Sequence, residues 1–467
     1  MEDTKVKLIT EDILSRSSAQ PIYLTSIEIN GGELFSNNFF KKSISPLIES
    51  RDLTFKRLIE NIDSSYENLS SIGIFKDIKF SLVEDYSNVL PEIKNYNFKN
   101  DNVIKTKVKI DLLLKRLNVG ELMIDLSNDI PLNVKLNYLN YNFNANNEIL
   151  NILVNYNPYK PQYLFTKFEL MKHLSSRWSF DMNFQNNKES LSYLNNKENI
   201  MGGSFGLNYT LSSTKMLIGL SMFKKKIESV AASDVYFKNS LFFNLDYNQL
   251  LFLNGKKNFP VKGFRVDLSN EISSIDNSNP FIDSKQDPEL EKAAASNSNA
   301  NPNLFNKLKL KSDFYYSVLN NHLTFNVSNE FGLIMNPNNL NIYPNDKFYI
   351  GGLNSANTIS SINSIVKKHD TSFDNFFRIN SFIYFKLPKS IHSLSNDQNP
   401  LRFYTNFIFN NFNDFNISSV GFGLRYFNDS ANFNLGYYFN SVNSFNSFGS
   451  VNNGLQFNFS IGGSNKQ

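Results

Sequence analysis

Ser419-Val420-Gly421-Phe422-Gly423-Leu424-Arg425-Tyr426, with Ala431-Asn432-Phe433-Asn434-Leu435-Gly436-Tyr437-Tyr438-Phe439 after it, decides the fold. Val420, Phe422, Leu424 and Tyr426 alternate with Ser419, Gly421, Gly423 and Arg425. Phe433, Leu435, Tyr437 and Phe439 alternate in the same way. In a third run Leu455, Phe457, Phe459 and Ile461 alternate with Gln456, Asn458, Ser460 and Gly462. Side chains along a strand point to opposite faces, so each run has one oily face and one wet face. Repeated from strand to strand, that pattern suits a sheet with lipid on one side and water on the other.

Upstream the rhythm continues. From Leu117 about sixteen strands begin near Leu117, Asn133, Glu148, Gln162, Ser176, Met201, Thr214, Val235, Pro260, Phe305, His322, Phe376, Leu401, Ile417, Ala431 and Gly454. In three of the most regular (around Trp178, Phe264 and Phe325) every charge falls on the face opposite the aromatic residues. An even number of strands with this patterning predicts a closed, antiparallel, all-β transmembrane barrel of 16 strands over residues 117–467. The competing architecture is a soluble sandwich or propeller that buries the aromatic faces. Loops are short except 274–303, which is polar and low in complexity, 336–372 and 389–400.

Composition agrees. The 467 residues include 44 Phe and 22 Tyr but one Trp. No apolar run reaches the ~18 residues of a membrane helix, whereas barrel strands need only about 9–11. A net charge of +4 is too small to imply nucleic acid, and the absence of cysteine excludes a disulfide scaffold and thiolate metal ligation.

Residues 1–19 read as a mobile polar arm without the basic start and apolar run of a secretory signal. Residues 20–116 read as a small α+β domain. It comprises a strand over Ile22–Asn30, a short helix over Asn37–Ile48, and a longer helix carrying Phe55, Leu58, Ile59, Ile62, Tyr66 and Leu69 at helical spacing. Thr54 is the N-cap of the longer helix and Gly73 ends it. Strands over Ile74–Val83 and Lys105–Leu114 complete the domain.

One small domain before sixteen strands resembles the outer-membrane protein assembly superfamily, in which a polypeptide-transport-associated (POTRA) domain precedes the barrel. Leu69 through Gly73-Ile74-Phe75 and Ile78 resembles the POTRA pattern. Pro260-Val261-Lys262-Gly263 resembles the family's Pro-x-x-Gly strand start. Asp346-Lys347-Phe348-Tyr349-Ile350-Gly351-Gly352 resembles the opening of its lid-loop motif, with Phe348, Gly351 and Gly352 as matched positions. The family's Arg-Gly-Phe is here Asn357-Thr358-Ile359, so the arginine that reaches an acidic wall in the family is missing. A single POTRA domain without a secretory signal most resembles the barrel subunits of the mitochondrial sorting and assembly machinery.

The resemblance implies a mitochondrial outer-membrane protein whose POTRA domain lies in the intermembrane space. Its partners would be β-barrel precursors, the lipid bilayer and peripheral subunits on the cytosolic face. The implied activity is insertion of precursors by strand exchange at a lateral gate between the first strand (Leu122, Ile124 and Leu126 outward) and the last. Asn452, Gly454, Phe457 and Phe459 fit the polar-x-Gly-x-x-apolar-x-apolar β-signal of such precursors. A closing strand with a Gly that relieves crowding would look the same.

Residue chemistry points away from catalysis. His173, His322, His369 and His392 lack ligand spacing, and neither Gly202-Gly203 nor Gly351-Gly352 has the strand–loop–helix setting of a phosphate site. No enzyme activity, cofactor or metal is expected. Arg378, Arg402 and Arg425 fall on the inward face and are expected to line a hydrated lumen. The alternative functions are an outer-membrane pore for solutes or polypeptides with a soluble plug domain, and a soluble binding module. Alkaline extraction of membranes separates the last from the others: the protein is expected in the pellet, and its release into the supernatant would refute the barrel.

Overall fold

A computed structural model describes residues 17–49, 52–86, 103–127, 132–159, 164–175, 177–191, 196–228, 233–252, 259–276, 304–337, 342–343, 346–350, 358–359, 373–387, 401–412, 415–427, 431–444 and 454–464. The first four strands, β1 (Pro21–Asn30), β2 (Asp52–Thr54), β3 (Phe75–Glu84) and β4 (Ile104–Leu114), make one sheet in the order β2-β1-β4-β3. β1 and β4 are parallel and the other pairs antiparallel. Helices α1 (Asn37–Ser43), α2 (Ser45–Ile48) and α3 (Phe55–Ser71) belong to the same domain. Its core contains Leu24, Leu47, Leu58, Leu69, Val108 and Ile110.

Local chemistry sets these boundaries. Thr54 Oγ1 accepts from the Arg57 amide and opens α3, and Gly73 takes φ +78° just beyond its end. The helix expected over Asn37–Ile48 is instead two, divided at Ile44. Pro46 has no N–H to give the carbonyl four residues back, so the first helix cannot run through it. β2 went unrecognised because three residues carry no periodicity. Of the expected mobile arm, residues 17–19 are described. Ser18 is tied down there, since its carbonyl accepts from the Lys56 amide at 3.2 Å in the first turn of α3.

Sixteen longer strands close on themselves. They are β5 (Asn118–Ser127), β6 (Asn133–Asn140), β7 (Glu148–Tyr156), β8 (Leu164–His173), β9 (Trp178–Leu191), β10 (Asn196–Thr210), β11 (Thr214–Glu228) and β12 (Ser233–Asn248). After a two-residue β13 (Leu251–Phe252) come β14 (Pro260–Asp276), β15 (Leu304–Val318), β16 (Leu323–Met335), β19 (Asn375–Lys386), β20 (Leu401–Phe412), β21 (Phe415–Phe427), β22 (Ala431–Ser444) and β23 (Gly454–Ser464). β17 (Tyr349–Ile350) and β18 (Thr358–Ile359) pair with each other in the loop between β16 and β19. The predicted strand starts lie within five residues of those observed. Every neighbouring pair in the barrel is antiparallel, and β23 pairs with β5 to complete the circle.

Closure leaves no open sheet edge, which a membrane would not tolerate. Each of the sixteen strands carries at least one exposed large apolar side chain on its outer face. Leu136, Phe168, Leu220, Leu241, Phe407, Val420 and Phe439 are examples. The small domain touches the barrel at the β6–β7 turn. Ala145 O accepts from the Ser36 amide at 2.7 Å, Asn142 Nδ2 donates to Leu34 O at 2.8 Å, and Tyr141 packs on the domain core.

Leu58 is fully buried in that core. Leu58→Ala is expected to destabilise the small domain by about 2–5 kcal/mol. Hydrogen exchange on the whole chain should show faster exchange over β1–β4, with the amides of β9–β12 unchanged.

Candidate functional site: a lumen anchor and a strand seam

β5 begins four residues after β4 ends, so its start faces the small domain. Because the strands alternate in direction, the β16–β19 loop emerges at the far end of the barrel. It then turns back into the lumen. Asp346 has no exposed surface and meets four side chains of the wall. Lys225 Nζ on β11 donates to its Oδ1 at 2.6 Å, and Lys238 Nζ on β12 lies 3.3 Å from the same oxygen. Tyr236 OH donates to Oδ2 at 2.9 Å, and Lys307 Nζ on β15 donates to the Asp346 carbonyl at 2.8 Å. Glu271 pairs with Lys238 at 2.9 Å, and Glu198 lies 3.8 Å from Lys225.

Three lysines and three carboxylates therefore share one water-poor cluster with balanced charge. A buried ion is tolerated only when paired and hydrogen-bonded, so the loop carboxylate and the wall hold each other. The aromatic residue two positions on adds packing. Phe348 is fully buried, with Lys307 Nζ 4.4 Å from its ring centre and the Phe376 ring 4.9 Å away edge-on. Its backbone exchanges hydrogen bonds with Phe373 at 3.0 and 2.7 Å. The inner face of β16 must yield here. A Cβ on Gly332 would lie 2.2 Å from the Phe376 ring and 2.8 Å from that of Phe348.

A second block fills the lumen nearer the small domain. Phe259, just before β14, meets Arg402 of β20 with 4.9 Å from guanidinium carbon to ring centre, and meets the Tyr384 ring edge-on. Arg425 Nη1 donates to Tyr384 OH at 2.8 Å, and the Tyr404 and Tyr438 hydroxyls share a bond of 2.8 Å. Arg402 is wholly buried and Arg378 nearly so. Arg402 and Arg425 thus meet aromatic side chains inside the barrel, whereas Arg378, nearer the far end of the barrel on β19, stands opposite Glu330 of β16. Room for the tyrosines comes from the small inner positions of the opening stretch, since a Cβ on Gly421 would lie 2.2 Å from the Tyr438 ring.

The seam is the third feature. β23 is registered with β5 from Asn458↔Ser127 to Ser464↔Glu121, seven residue pairs, as many as β6 and β7 share and half the fourteen of β9 and β10. Phe459 stands opposite Leu126, Ile461 opposite Ile124 and Gly463 opposite Leu122. Leu122 and Ile124 are exposed on the outer face, as are Leu455, Phe457 and Ile461. Gly454 and Phe457 are registered with Tyr438 and Leu435 of β22. Asn452, Gly351, Gly352 and Asn357 lie outside the described residues.

Sequence reasoning thus assembled the strands of the seam but missed the anchor. The available signal was a set of charges at inward positions of β10, β11, β12, β14 and β15, together with one acid in an apolar loop segment. The resemblance directed attention to a loop arginine on an acidic wall; the structure places a loop acid on a basic wall. Asp346→Asn leaves three lysines against two carboxylates, and is expected to cost about 3–5 kcal/mol. Protease cleavage within 338–372 should rise sharply while the barrel persists. Pairing Asp346→Leu with Lys225→Met should recover much of that loss; equal cleavage in wild type and Asp346→Asn would remove the anchor.

No family model matches the sequence, and no curated protein matches it. Solved structures do. The chain is similar to BamA from Haemophilus ducreyi lacking POTRA domains 1-3, with TM-score 0.67 and 11% identity over 99% of this chain and 93% of that one. It is also similar to CdiB from Acinetobacter baumannii, with TM-score 0.52 and 13% identity over 95% of this chain and 74% of that one. In fold, this chain is therefore a closed barrel of sixteen antiparallel strands preceded by a small α+β domain, as in those two solved structures.

Proposed function

We propose that this protein inserts and folds β-barrel precursors in the mitochondrial outer membrane, using the β5–β23 seam as a lateral gate. Residues 20–116 act as its POTRA domain in the intermembrane space, with peripheral subunits of the sorting and assembly machinery at the opposite face. The observation that carries this reading is the make-up of the seam. It has seven registered pairs, as few as any neighbouring pair among the described long strands, and β23 carries glycines, Gly462 within the seam and Gly454 on its β22 side, where packing does not require them. A Cβ at Gly454 would meet nothing within 4 Å, and one at Gly462 would make only ordinary contact with Met123. Glycine inside a strand gives up cross-strand side-chain contact and costs backbone entropy, so these positions weaken the closing strand without relieving a clash.

Parting the seam exposes the β5 edge, which pairs with the last strand of a precursor by β-augmentation. Each unpaired backbone group in lipid costs several kcal/mol, so exchange of one strand for another is far cheaper than opening alone. No covalent bond changes, and the chemistry is exchange of hydrogen-bond partners. Leu122, Ile124 and Leu126 present the receiving edge. Phe457 and Phe459, with Asn452 and Gly454 before them, form the strand that is displaced. The two lumen blocks argue against the alternative of an open pore, because fully buried side chains occupy both.

The absence of cysteine makes one test clean. Leu126→Cys with Phe459→Cys places two thiols at facing positions, within disulfide reach for cross-strand partners. Oxidation is expected to abolish insertion of a radiolabelled precursor, and reduction to restore it. Full insertion by the locked barrel would sink the gate, and steady wide conductance in planar bilayers would favour the pore. Gly454→Ala is expected to leave folding intact and slow precursor release severalfold.

A further inference from the structure

Cross-strand partners share a face, so the register carries the lipid-facing side around the barrel. It runs from Leu164 to Lys188, Asn199, Lys226 and Val235 across β8 to β12. The adjacent row contains Met201 and Lys224, and the row beyond contains Lys197 and Glu228. At the end away from the small domain, Lys188, Lys197, Lys224 and Lys226 are thus the outward cations among the described strand residues. All four lie on three neighbouring strands, β9, β10 and β11. The same end of β14, β15, β16 and β19 presents Ile272, Leu304, Met335 and Phe377 outward.

The lysines stand just past the apolar belt. Met222, at 62% exposed, is followed two positions on by Lys224, a rise of about 7 Å along the strand. At that depth a lysine stem lies along apolar surface while the ammonium reaches the headgroups. Local acids do not cancel the patch. Glu228 pairs with Lys226 at 2.6 Å, and Asp276 stands opposite Phe237 on the next strand. Four lysines less these two carboxylates leave an excess of two positive charges. Lys224 Nζ lies over the Phe237 ring at 5.9 Å, which anchors the stem without using its hydrogen-bond donors.

We propose that Lys188, Lys197, Lys224 and Lys226 form a binding surface for the phosphates of anionic lipid headgroups in the leaflet away from the small domain. Ordinary interfacial lysines would be scattered around the rim; here they are confined to three of sixteen strands, well away from the seam. The patch rests on the transmembrane reading of the barrel and not on the gate, so it stands or falls separately from precursor insertion.

The test uses the full chain, delipidated in mild detergent, and native mass spectrometry with phosphatidylglycerol and phosphatidylcholine of the same acyl chains. Wild type is expected to bind phosphatidylglycerol about fivefold or more tightly, in line with the attraction of single lysines to an anionic surface. The variant Lys188→Gln/Lys197→Gln/Lys224→Gln/Lys226→Gln should lose most of that preference, and the corresponding fourfold arginine variant should keep it. Lack of preference in wild type, or full preference in the glutamine variant, overturns the proposal. Displacement of the lipid by equimolar inorganic phosphate, or by an acidic peptide, would do the same. If the quadruple variant fails to fold, Lys224→Gln with Lys226→Gln carries the same comparison.

Discussion

The constraint on which everything else depends is that backbone N–H and C=O groups in hydrocarbon must find partners within the protein. Helices satisfy it locally; a sheet satisfies it only by meeting itself. This chain has no helix long and apolar enough to cross, among the described residues, and its strands close with β23 on β5. Alternation of side chains then sends leucine and phenylalanine outward, and leaves charges, amides and glycines facing in. The apolar exterior and the polar interior are thus one feature seen from two sides.

An inward polar face creates its own difficulty, since charges in a narrow interior lose water. The barrel meets this by packing. At the far end a loop carboxylate joins two wall carboxylates and three lysines in a balanced cluster. Nearer the small domain, arginines are covered by Phe259 and tyrosines instead of being left to solvent. The two devices differ in their dependence. The anchor is electrostatic and concentrated on one loop carboxylate, whereas the aromatic block distributes its stability over many contacts. In the anchor, the loop is held inside by a compensated buried charge.

Against this background the seam is where the circle closes. It has the outer apolar residues of any other pair, with Ile461 facing Ile124 and Phe459 facing Leu126, a register of seven pairs matched only by β6–β7 among the described neighbours, and Gly462 without a tight steric cause. The three-residue connection after β4 places the first strand close to the small domain, whose core takes in Leu117 and Tyr141 at the two sides of the first hairpin. Motion of that domain would therefore reach β5 directly through packed side chains.

Much of this was legible before any coordinates. The sixteen strand positions follow from period-two alternation, which depends only on strand geometry, and the helix over Phe55–Ser71 from its cap and spacing. Outward and inward faces were likewise assigned by parity alone. What parity cannot do is say how far an inward side chain reaches, or what meets it across the lumen. Arg402 reads the same whether it is hydrated or stacked on Phe259, 143 residues earlier. Asp346 is one more loop acid until strands from Asn196 to Val318 bring Lys225, Lys238 and Lys307 around it. Local sequence determined the strands and their two faces, because those are set by neighbours two residues apart; closure alone decided the anchor, the aromatic block and the seam, because their partners are brought together only when the sheet curls into a circle.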